Sequence, residues 1–181
     1  MRIEANEQRR MGLVEVYTGD GKGKTTAALG LALRAAGRGL RTYIGQFLKG
    51  SHCGELDSIA KLAPFVTVEQ YGLDQFVRAG DVPLDQKVAA RAGLARARQV
   101  LFSGEYDIVV LDEVTLSVCF GLLSEAELVE LVDLKPAGVE LILTGRLAPQ
   151  SIIDRADLVT DMRQVRHPYE RGIQARIGIE Y

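Results

Sequence analysis

The sequence predicts an α/β fold, with a single three-layer domain in which a mostly parallel sheet carries helices on both faces. Two observations support this class. Short apolar, β-branched runs alternate along the chain with segments rich in helix formers, and such alternation favours right-handed crossovers between parallel strands. The length of 181 residues and the 47% share of hydrophobic residues suit one domain with one sizeable core.

The N-terminal half supplies three strand candidates and two helix candidates. The strand candidates are rich in β-branched and aromatic residues, and the helix candidates end at Gly37 and before Pro64. A polar, flexible arm is expected at 1–12, and a polar loop at 72–83. In chain order, the candidates are strand 13–17, helix 25–37, strand 41–49, helix 55–63 and strand 65–71.

The C-terminal half continues the alternation. The longest helix candidate is ended by Gly104, and Ser124 with Glu127 matches the capping box S-x-x-E that opens a helix. The run 106–114 is apolar for most of its length, as expected for a strand buried on both faces. In chain order, the candidates are helix 84–103, strand 106–114, helix 124 to about 135, strand 139–145 and two β-like pieces of the tail, LVTDM and IQARIGIEY.

Composition and charge narrow the expected partners and compartment. The formal net charge is −2, so no global basic field attracts nucleic acid or a membrane surface. No apolar run approaches the ~20 residues of a membrane span, and the charged N-terminus does not resemble a secretory signal. Cys53 and Cys119 are isolated from each other, which fits a reducing compartment. We therefore expect a cytoplasmic protein without nucleic-acid or membrane partners.

The stretch TGDGKGKTT at 18–26 is close to the phosphate-binding pattern G-x-x-x-x-G-K-[ST], although Thr18 stands where the first glycine is expected. In such loops, glycines let backbone N–H groups and the start of the next helix surround phosphate oxygens. Lys24 is expected to reach the phosphates, and the Thr25 hydroxyl to ligate Mg²⁺. The predicted nucleotide-binding residues of this loop are Thr18, Gly19, Asp20, Gly21, Lys22, Gly23, Lys24, Thr25 and Thr26.

Two acids follow the buried strand candidate at 106–114. Asp112 and Glu113 would lie at the C-terminal edge of the sheet, where ligands bind in open α/β folds. One of them can hold the metal ion directly or through water, and the sequence leaves open which one does so. Arg146 follows the next strand on the same edge. Two interpretations of Arg146 are equally good: it contacts a phosphate or the substrate, or it is a plain surface residue.

The sequence does not contain an evident nucleophile with its base. His52 and His167 are far apart in the chain, and neither G-x-S-x-G nor H-E-x-x-H occurs. A small-molecule kinase or NTPase stays open as a hypothesis, because Asp112 or Glu113 could activate a hydroxyl group. The expected catalytic contribution of the loop and strand end comes from Lys24, Thr25 and Glu113.

A family resemblance covers most of the chain, from about Leu13 to Tyr181. It rests on the segments YTGDGKGKTTAALGLALRAAG, QFLKG, YDIVVLDEV, LTGRLAP, ADLVTDM and HPYERGIQARIGIEY. Together they resemble the ATP:corrinoid adenosyltransferases of the bacterial vitamin B12 pathway, and the displaced glycine of the loop is itself typical of that family. Asp20 stands where the family commonly has asparagine, which adds negative charge beside the phosphates.

The resemblance implies a RecA-like P-loop NTPase fold for residues 13–181, a homodimer and a specific reaction. The 5′-deoxyadenosyl group of ATP would pass to Co(I) of a corrinoid, either cobalamin or cobyrinic acid a,c-diamide, and triphosphate would leave. The implied substrates are ATP and a reduced corrinoid, the metal is Mg²⁺ or Mn²⁺, and a flavoprotein is the implied reductant. The family holds ATP with the γ-phosphate deepest in the loop. A module that binds a corrinoid without turnover remains a further hypothesis.

The loop GLDQFVRAG at 72–80 adds one more expected catalytic residue. Some family members press a phenylalanine and a tryptophan, two residues apart in this region, against the lower face of the corrin to displace its axial ligand. Phe76 matches the first, but Arg78 stands in place of the second, and the chain has no tryptophan. A structural role for Phe76, packing the loop onto the domain, is the alternative.

Overall fold

A parallel sheet of six strands forms the middle layer of the computed structural model, which describes residues 11–74 and 82–180. The strands are β1 (Val14–Thr18), β2 (Thr42–Phe47), β3 (Val66–Tyr71), β4 (Ile108–Asp112), β5 (Glu140–Thr144) and β6 (Leu158–Asp161). The helices are α1 (Lys24–Ala36), α2 (Gly54–Ala60), α3 (Leu84–Phe102), α4 (Val114–Cys119), α5 (Glu125–Asp133) and α6 (Gln150–Ile153).

The strand order across the sheet is β3-β2-β4-β5-β1-β6, and every neighbouring pair is parallel. The register places Gln46 of β2 opposite Asp112 of β4, and Tyr17 of β1 opposite Thr144 of β5. Since parallel strands share one direction, the segments that follow β1, β2, β4 and β5 all meet at the carboxyl edge of the sheet. This edge therefore collects residues that are far apart in the sequence.

The two faces of the sheet are covered by different helices, and this confirms the predicted three-layer α/β class. Along β4, Val109 and Leu111 belong to one core cluster, whereas Ile108 and Val110 belong to the other. The first cluster is closed by α3, α4, α5 and α6, and the second by α1 and α2. Alternate side chains of a strand point to opposite faces, so the continuous apolar run that predicted β4 reflects burial on both sides.

The described helices are all too short or too polar to cross a membrane. The capping box predicted from the sequence is present at the start of α5, where the Ser124 hydroxyl accepts from the Glu127 amide at 3.2 Å. The Glu127 carboxylate in turn accepts from the Ser124 amide at 2.8 Å. Of the predicted arm 1–12, only Met11 and Gly12 lie within the described residues.

The prediction of a β-piece at IQARIGIEY is wrong. Its described residues, 173–180, are irregular and exposed, and they follow a single 3₁₀ turn at Pro168–Arg171. Gly172 and Gly178 adopt positive φ values of 73° and 74°, and these turns deflect the chain away from the sheet. The alternating pattern of this piece therefore does not reflect strand pairing, whereas the pattern at LVTDM became β6, the edge strand beside β1.

Two short helices were not predicted. The strand expected over 106–114 ends at Asp112, because Glu113 adopts a left-handed backbone conformation with φ 61° and ψ 19° and α4 starts at Val114. The helix α4 has the sequence VTLSVC, whose β-branched residues favour a strand. The other, α6, has four residues and follows Pro149.

Two helix glycines provide an internal test of the packing. Gly93 of α3 faces Tyr71, and a Cβ atom at this position would lie 2.6 Å from the Tyr71 Cγ atom. Gly30 of α1 is exposed, and a Cβ atom there would meet nothing within 4 Å. We expect Gly93→Ala to lower the free energy of unfolding by about 1–3 kcal/mol through overpacking. Gly30→Ala should raise it by about 0.5–1 kcal/mol, because alanine is the better helix former.

Urea denaturation of both variants beside the unaltered protein measures this difference. If Gly93→Ala were as stable as Gly30→Ala, the close packing of α3 on the Tyr71 ring would be contradicted.

Candidate functional site

A cavity of about 550 Å³ opens at the carboxyl edge of the sheet. Its walls come from the glycine loop before α1, the segments after β2, β4 and β5, the start of α2 and the C-terminal tail. The charged and hydroxyl-bearing side chains on its walls are Asp20, Lys22, Lys24, Thr25, Thr26, Lys49, Glu55, Ser58, Glu113, Arg146 and Glu180.

The glycine loop takes its shape from close packing against the chain that follows β6. Gly19 and Gly23 have positive φ values of 94° and 127°, a region that glycine adopts without steric cost. A Cβ atom on Gly19 would collide with the Asp161 carboxylate, and one on Gly21 would lie 2.5 Å from the Met162 carbonyl oxygen. The Gly21 amide donates to that same oxygen at 2.6 Å. The glycines are therefore required by this packing as well as by the expected approach of phosphates.

Lys24 is held inside the loop that it follows. Its side chain belongs to a residue only 7% exposed, and its ammonium donates to the carbonyl oxygens of Gly19 and Gly21, each at 2.7 Å. Burial lowers the pKa of Lys24, and the neighbouring Glu113 opposes that shift. The ammonium thus lies at the bottom of the loop, next to the cavity.

Asp112 is the centre of the polar network beneath the cavity. It is fully buried, and its Oδ1 accepts from the Thr25 hydroxyl at 2.9 Å and from the Thr144 hydroxyl at 2.6 Å. Its Oδ2 accepts from the Lys49 ammonium at 2.9 Å. Both carboxylate oxygens therefore have protein partners, which a buried charge requires.

Glu113 differs from Asp112 in its surroundings. Its left-handed backbone turns the residue out of β4, and its amide donates to the Thr144 hydroxyl at 2.9 Å. The side chain lines the cavity and makes no hydrogen bond to any residue of the described chain. Burial and the neighbouring Asp112 raise the pKa of Glu113, whereas Lys24 is the first of the cations that lower it. Such a strained, cavity-facing acid is typical of a functional position.

The remaining predicted residues lie around the rim. Thr18 does not line the cavity; its hydroxyl accepts from the Ala148 amide at 3.3 Å and ties the loop to the segment after β5. Lys22 donates to the Ile179 carbonyl and the Glu180 carboxylate, both at 2.9 Å. Asp20 and Arg146 are exposed and face the cavity.

Several members of this site were not predicted from the sequence. Lys49 and Glu55 line the cavity, and the Thr144 hydroxyl donates a hydrogen bond to Asp112. The tail beside Glu180 also forms part of the wall, although it was predicted to be β-structure. The available signals were QFLKG and LTGR, which contain the carboxyl ends of β2 and β5. These two strands flank β4, so their ends lie at the same edge of the sheet as Asp112.

The donor set fits a divalent metal ion. Thr25 offers a hydroxyl beside the Asp112 carboxylate, and the Glu113 carboxylate lies on the same cavity wall. Mg²⁺ and Mn²⁺ prefer such oxygen ligands, and Mg²⁺ is usually held by one or two carboxylates together with substrate phosphates. Across residues 11–74 and 82–180, no three His, Cys, Asp or Glu side chains are placed to hold a metal ion by themselves.

These features define a phosphate-loop nucleotide-binding protein. A glycine loop joins the first strand to a helix, its lysine and hydroxyl face the cavity, and a buried aspartate ends the strand two places away. A solved structure agrees with this fold. The crystal structure of the KaiC-like protein PH0186 from Pyrococcus horikoshii OT3 aligns with a TM-score of 0.52 at 18% identity. The match covers 82% of this chain and 71% of that one, and the predicted RecA-like fold is confirmed.

The chain belongs to the ATP:corrinoid adenosyltransferase family BtuR/CobO/CobP, whose model matches residues 10–181. The corrinoid adenosyltransferase of Escherichia coli strain K12 is 34% identical over 184 residues, covering 98% of this chain and 89% of that protein. The corrinoid adenosyltransferase CobA of Salmonella typhimurium is 33% identical with the same coverage. A corrinoid adenosyltransferase of Pseudomonas aeruginosa is 30% identical and is covered over 87% of its length. The predicted family is therefore confirmed.

Proposed function

We propose that this protein transfers the 5′-deoxyadenosyl group of ATP to Co(I) of a corrinoid and releases triphosphate, in the biosynthesis or salvage of adenosylcobalamin. The observation that carries this proposal is the match of nearly the whole chain to a family named for this reaction. The cavity is consistent with this reaction, because the glycine loop and several cationic side chains line it. Neither the family match nor the cavity favours the alternative hypothesis of a small-molecule kinase or NTPase.

The chemistry explains why no general base is needed. The electron pair of Co(I) forms the bond to C5′ of the ribose, and the bond from C5′ to oxygen breaks, with its electron pair leaving on the triphosphate. No proton is removed in this step. The protein must therefore hold two reactants in line and stabilise the charge that develops on the leaving group.

The loop and the rim supply that stabilisation in this proposal. Lys24 and the loop amides would contact the phosphates from below, and Arg146 would contact them from the rim. Lys22 is the other cation of the loop, and it is paired with Glu180 of the tail in this structure. Binding of a triphosphate would offer Lys22 an alternative anionic partner.

The metal would be Mg²⁺ or Mn²⁺, held by Thr25 and one of the two acids after β4. It would neutralise charge on the phosphates when bound. We propose Glu113 as the direct ligand, since Asp112 already accepts three hydrogen bonds with its two oxygens. Asp112 would instead orient the Thr25 hydroxyl. The sequence left this choice open, and the different surroundings of the two acids support this assignment.

Phe76 lies outside the described residues, so its role stays a prediction. We propose that it presses on the lower face of the corrin and helps to displace the axial ligand. Phe76→Ala should then slow the reaction far more with Co(II) corrinoid plus a reductant than with pre-reduced Co(I), because pre-reduction bypasses that step. Initial rates in the two assays measure the difference. Equal slowing would assign Phe76 to binding or transfer, and unchanged rates would leave it a packing residue.

Three further properties belong to the same proposal. The protein would be cytoplasmic, would receive electrons from a flavoprotein and would form a homodimer. Exposed apolar side chains at Leu158, Val159 and Ile177 provide surface for such an association. Light scattering should give twice the chain mass of 19.8 kDa, and a value equal to one chain would exclude the homodimer.

An anaerobic assay tests the proposed reaction. The protein is mixed with ATP, Mg²⁺ and chemically reduced corrinoid, and the absorbance spectrum follows the cobalt. We expect the Co(I) spectrum to be replaced by that of an alkylated corrinoid in a manner that depends on ATP. Binding of both substrates without a new cobalt–carbon bond would identify a carrier module instead.

A further inference from the structure

Lys49 is a half-buried cation of the cavity and has no role in the reaction proposed above. It lies two residues beyond the end of β2, and its side chain is only 23% exposed. Its ammonium lies 2.9 Å from Asp112 Oδ2 and 3.4 Å from Glu55 Oε1. The residue also lines the cavity that holds Lys24 and Thr25.

The backbone around Lys49 is tightly positioned. Leu48 adopts a left-handed φ of 59°, a conformation that is costly for a leucine and persists where the surroundings impose it. A Cβ atom on Gly72 would lie 2.5 Å from the Lys49 amide nitrogen, so the segment after β2 packs directly on the segment after β3. The base of the Lys49 side chain is therefore fixed, while its four-carbon stem can swing within the cavity.

The partners of Lys49 conflict with the proposed metal site. Asp112 is fully buried, and Lys49 is the cation that pairs with it among the described residues. The same carboxylate would orient Thr25 towards a divalent ion. Two cations within a few ångströms of one carboxylate repel each other, so the ammonium is expected to leave Asp112 when the ion binds there.

The other large cation of the site shows a parallel arrangement. Lys24 donates to two carbonyl oxygens of its own loop, and an incoming phosphate would replace these neutral partners with charged ones. Lys49 lines the same cavity. A triphosphate that displaces both ammonium groups from their present partners would be held between them.

We propose that Lys49 is a second cationic ligand of the triphosphate, which neutralises Asp112 until the metal–nucleotide complex enters and then turns to the phosphates. This inference rests on the proposed function, because it takes the triphosphate of ATP as the ligand. In the transfer step Lys49 would stabilise, together with Lys24, the negative charge of the leaving group. This role predicts that one substitution at Lys49 has opposite effects on the binding of the metal ion and on the binding of ATP.

The test compares Lys49→Met with Lys61→Met, a matched loss of charge at an exposed lysine that follows α2. The probe for the first equilibrium is Mn²⁺ alone, measured by the electron paramagnetic resonance signal of the unbound ion. Without the competing ammonium, Lys49→Met should bind Mn²⁺ about tenfold more tightly. The free energy of this factor lies between the interaction energies of two unit charges a few ångströms apart in water and near a protein surface. Lys61→Met should bind it like the unaltered protein.

The probe for the second equilibrium is ATP with Mg²⁺, measured by calorimetry without corrinoid. Lys49→Met should bind ATP about tenfold more weakly, because it loses one charge-assisted contact. Lys49→Arg keeps the charge, so it should retain weak Mn²⁺ binding and recover part of the ATP affinity. It also guards against misfolding of the methionine variant.

Two outcomes would overturn the inference. Unchanged affinities in Lys49→Met would show that the ammonium neither competes with the ion nor contacts phosphate. Parallel weakening of both affinities would make Lys49 a structural partner of Asp112. Neither arm contains a corrinoid, so they decide the role of Lys49 even if the unaltered protein forms no cobalt–carbon bond, which would contradict the proposed function alone.

Discussion

Lys24→Ala is expected to lower turnover roughly 10²–10³-fold, the usual cost of removing one preorganised contact to developing charge. The Lys24 ammonium lies at the bottom of the loop, where the leaving group would gain negative charge. Single-turnover rates with pre-reduced corrinoid measure the transfer step itself. They avoid any effect of the variant on reduction of the cobalt.

The structure changes what this variant should do to stability. A lysine in a solvent-open loop would contribute little to folding, but Lys24 is 7% exposed and donates to Gly19 and Gly21. Its loss should lower the free energy of unfolding by about 1–2 kcal/mol, because two charge-assisted hydrogen bonds disappear while the carbonyl groups can turn to water. Thermal melting should therefore show a shift of a few degrees with a cooperative transition. Normal turnover in a folded Lys24→Ala protein would contradict the site assignment.

The second large effect concerns the two acids after β4. Glu113→Gln should raise the Mg²⁺ concentration needed for half-maximal turnover roughly 100-fold and leave folding unchanged. Asp112→Asn should raise it roughly tenfold, within the range known for residues that orient a ligand. The direct ligand loses a metal bond, whereas the orienting residue keeps its two hydroxyl partners.

Stability separates the two acids further. In Asp112→Asn an amide group would replace the carboxylate beside the Lys49 ammonium, so this largely buried cation loses the nearer of its two anionic partners. We expect the free energy of unfolding to fall by about 2 kcal/mol, less than for a fully buried pair because Lys49 is partly exposed. Metal titrations and urea denaturation of both variants give the comparison. A larger metal effect for Asp112→Asn would exchange the proposed roles, and unchanged metal dependence in both would make the pair structural.

The sequence predicted those parts of the fold in which local pattern and packing agree. The strand at 106–114 was recognised because both faces of β4 are buried, and α5 because Ser124 and Glu127 form a local cap. The tail was misjudged since alternation alone does not show whether a partner strand is available. The short helix α4 was missed because its composition favours strand, while the left-handed turn at Glu113 redirects the chain.

The part of the site that lies within one short sequence motif could be predicted. The glycine loop, Lys24 and Thr25 lie within a few residues of each other, so their association needs no knowledge of topology. Lys49 and Thr144 reach Asp112 from 63 and 32 residues away, and their contacts depend on the strand order. That order places β2 and β5 on either side of β4, which local sequence patterns do not specify.

The phosphate product of the anaerobic reaction tests the central claim most directly. Phosphorus magnetic resonance of a reaction with ATP, Mg²⁺ and pre-reduced corrinoid identifies which bond of the nucleotide breaks. The proposed transfer predicts inorganic triphosphate, formed in equal amount to the new cobalt–carbon bond. ADP or inorganic phosphate as the initial product would instead show phosphoryl transfer or hydrolysis, and would contradict the proposed function.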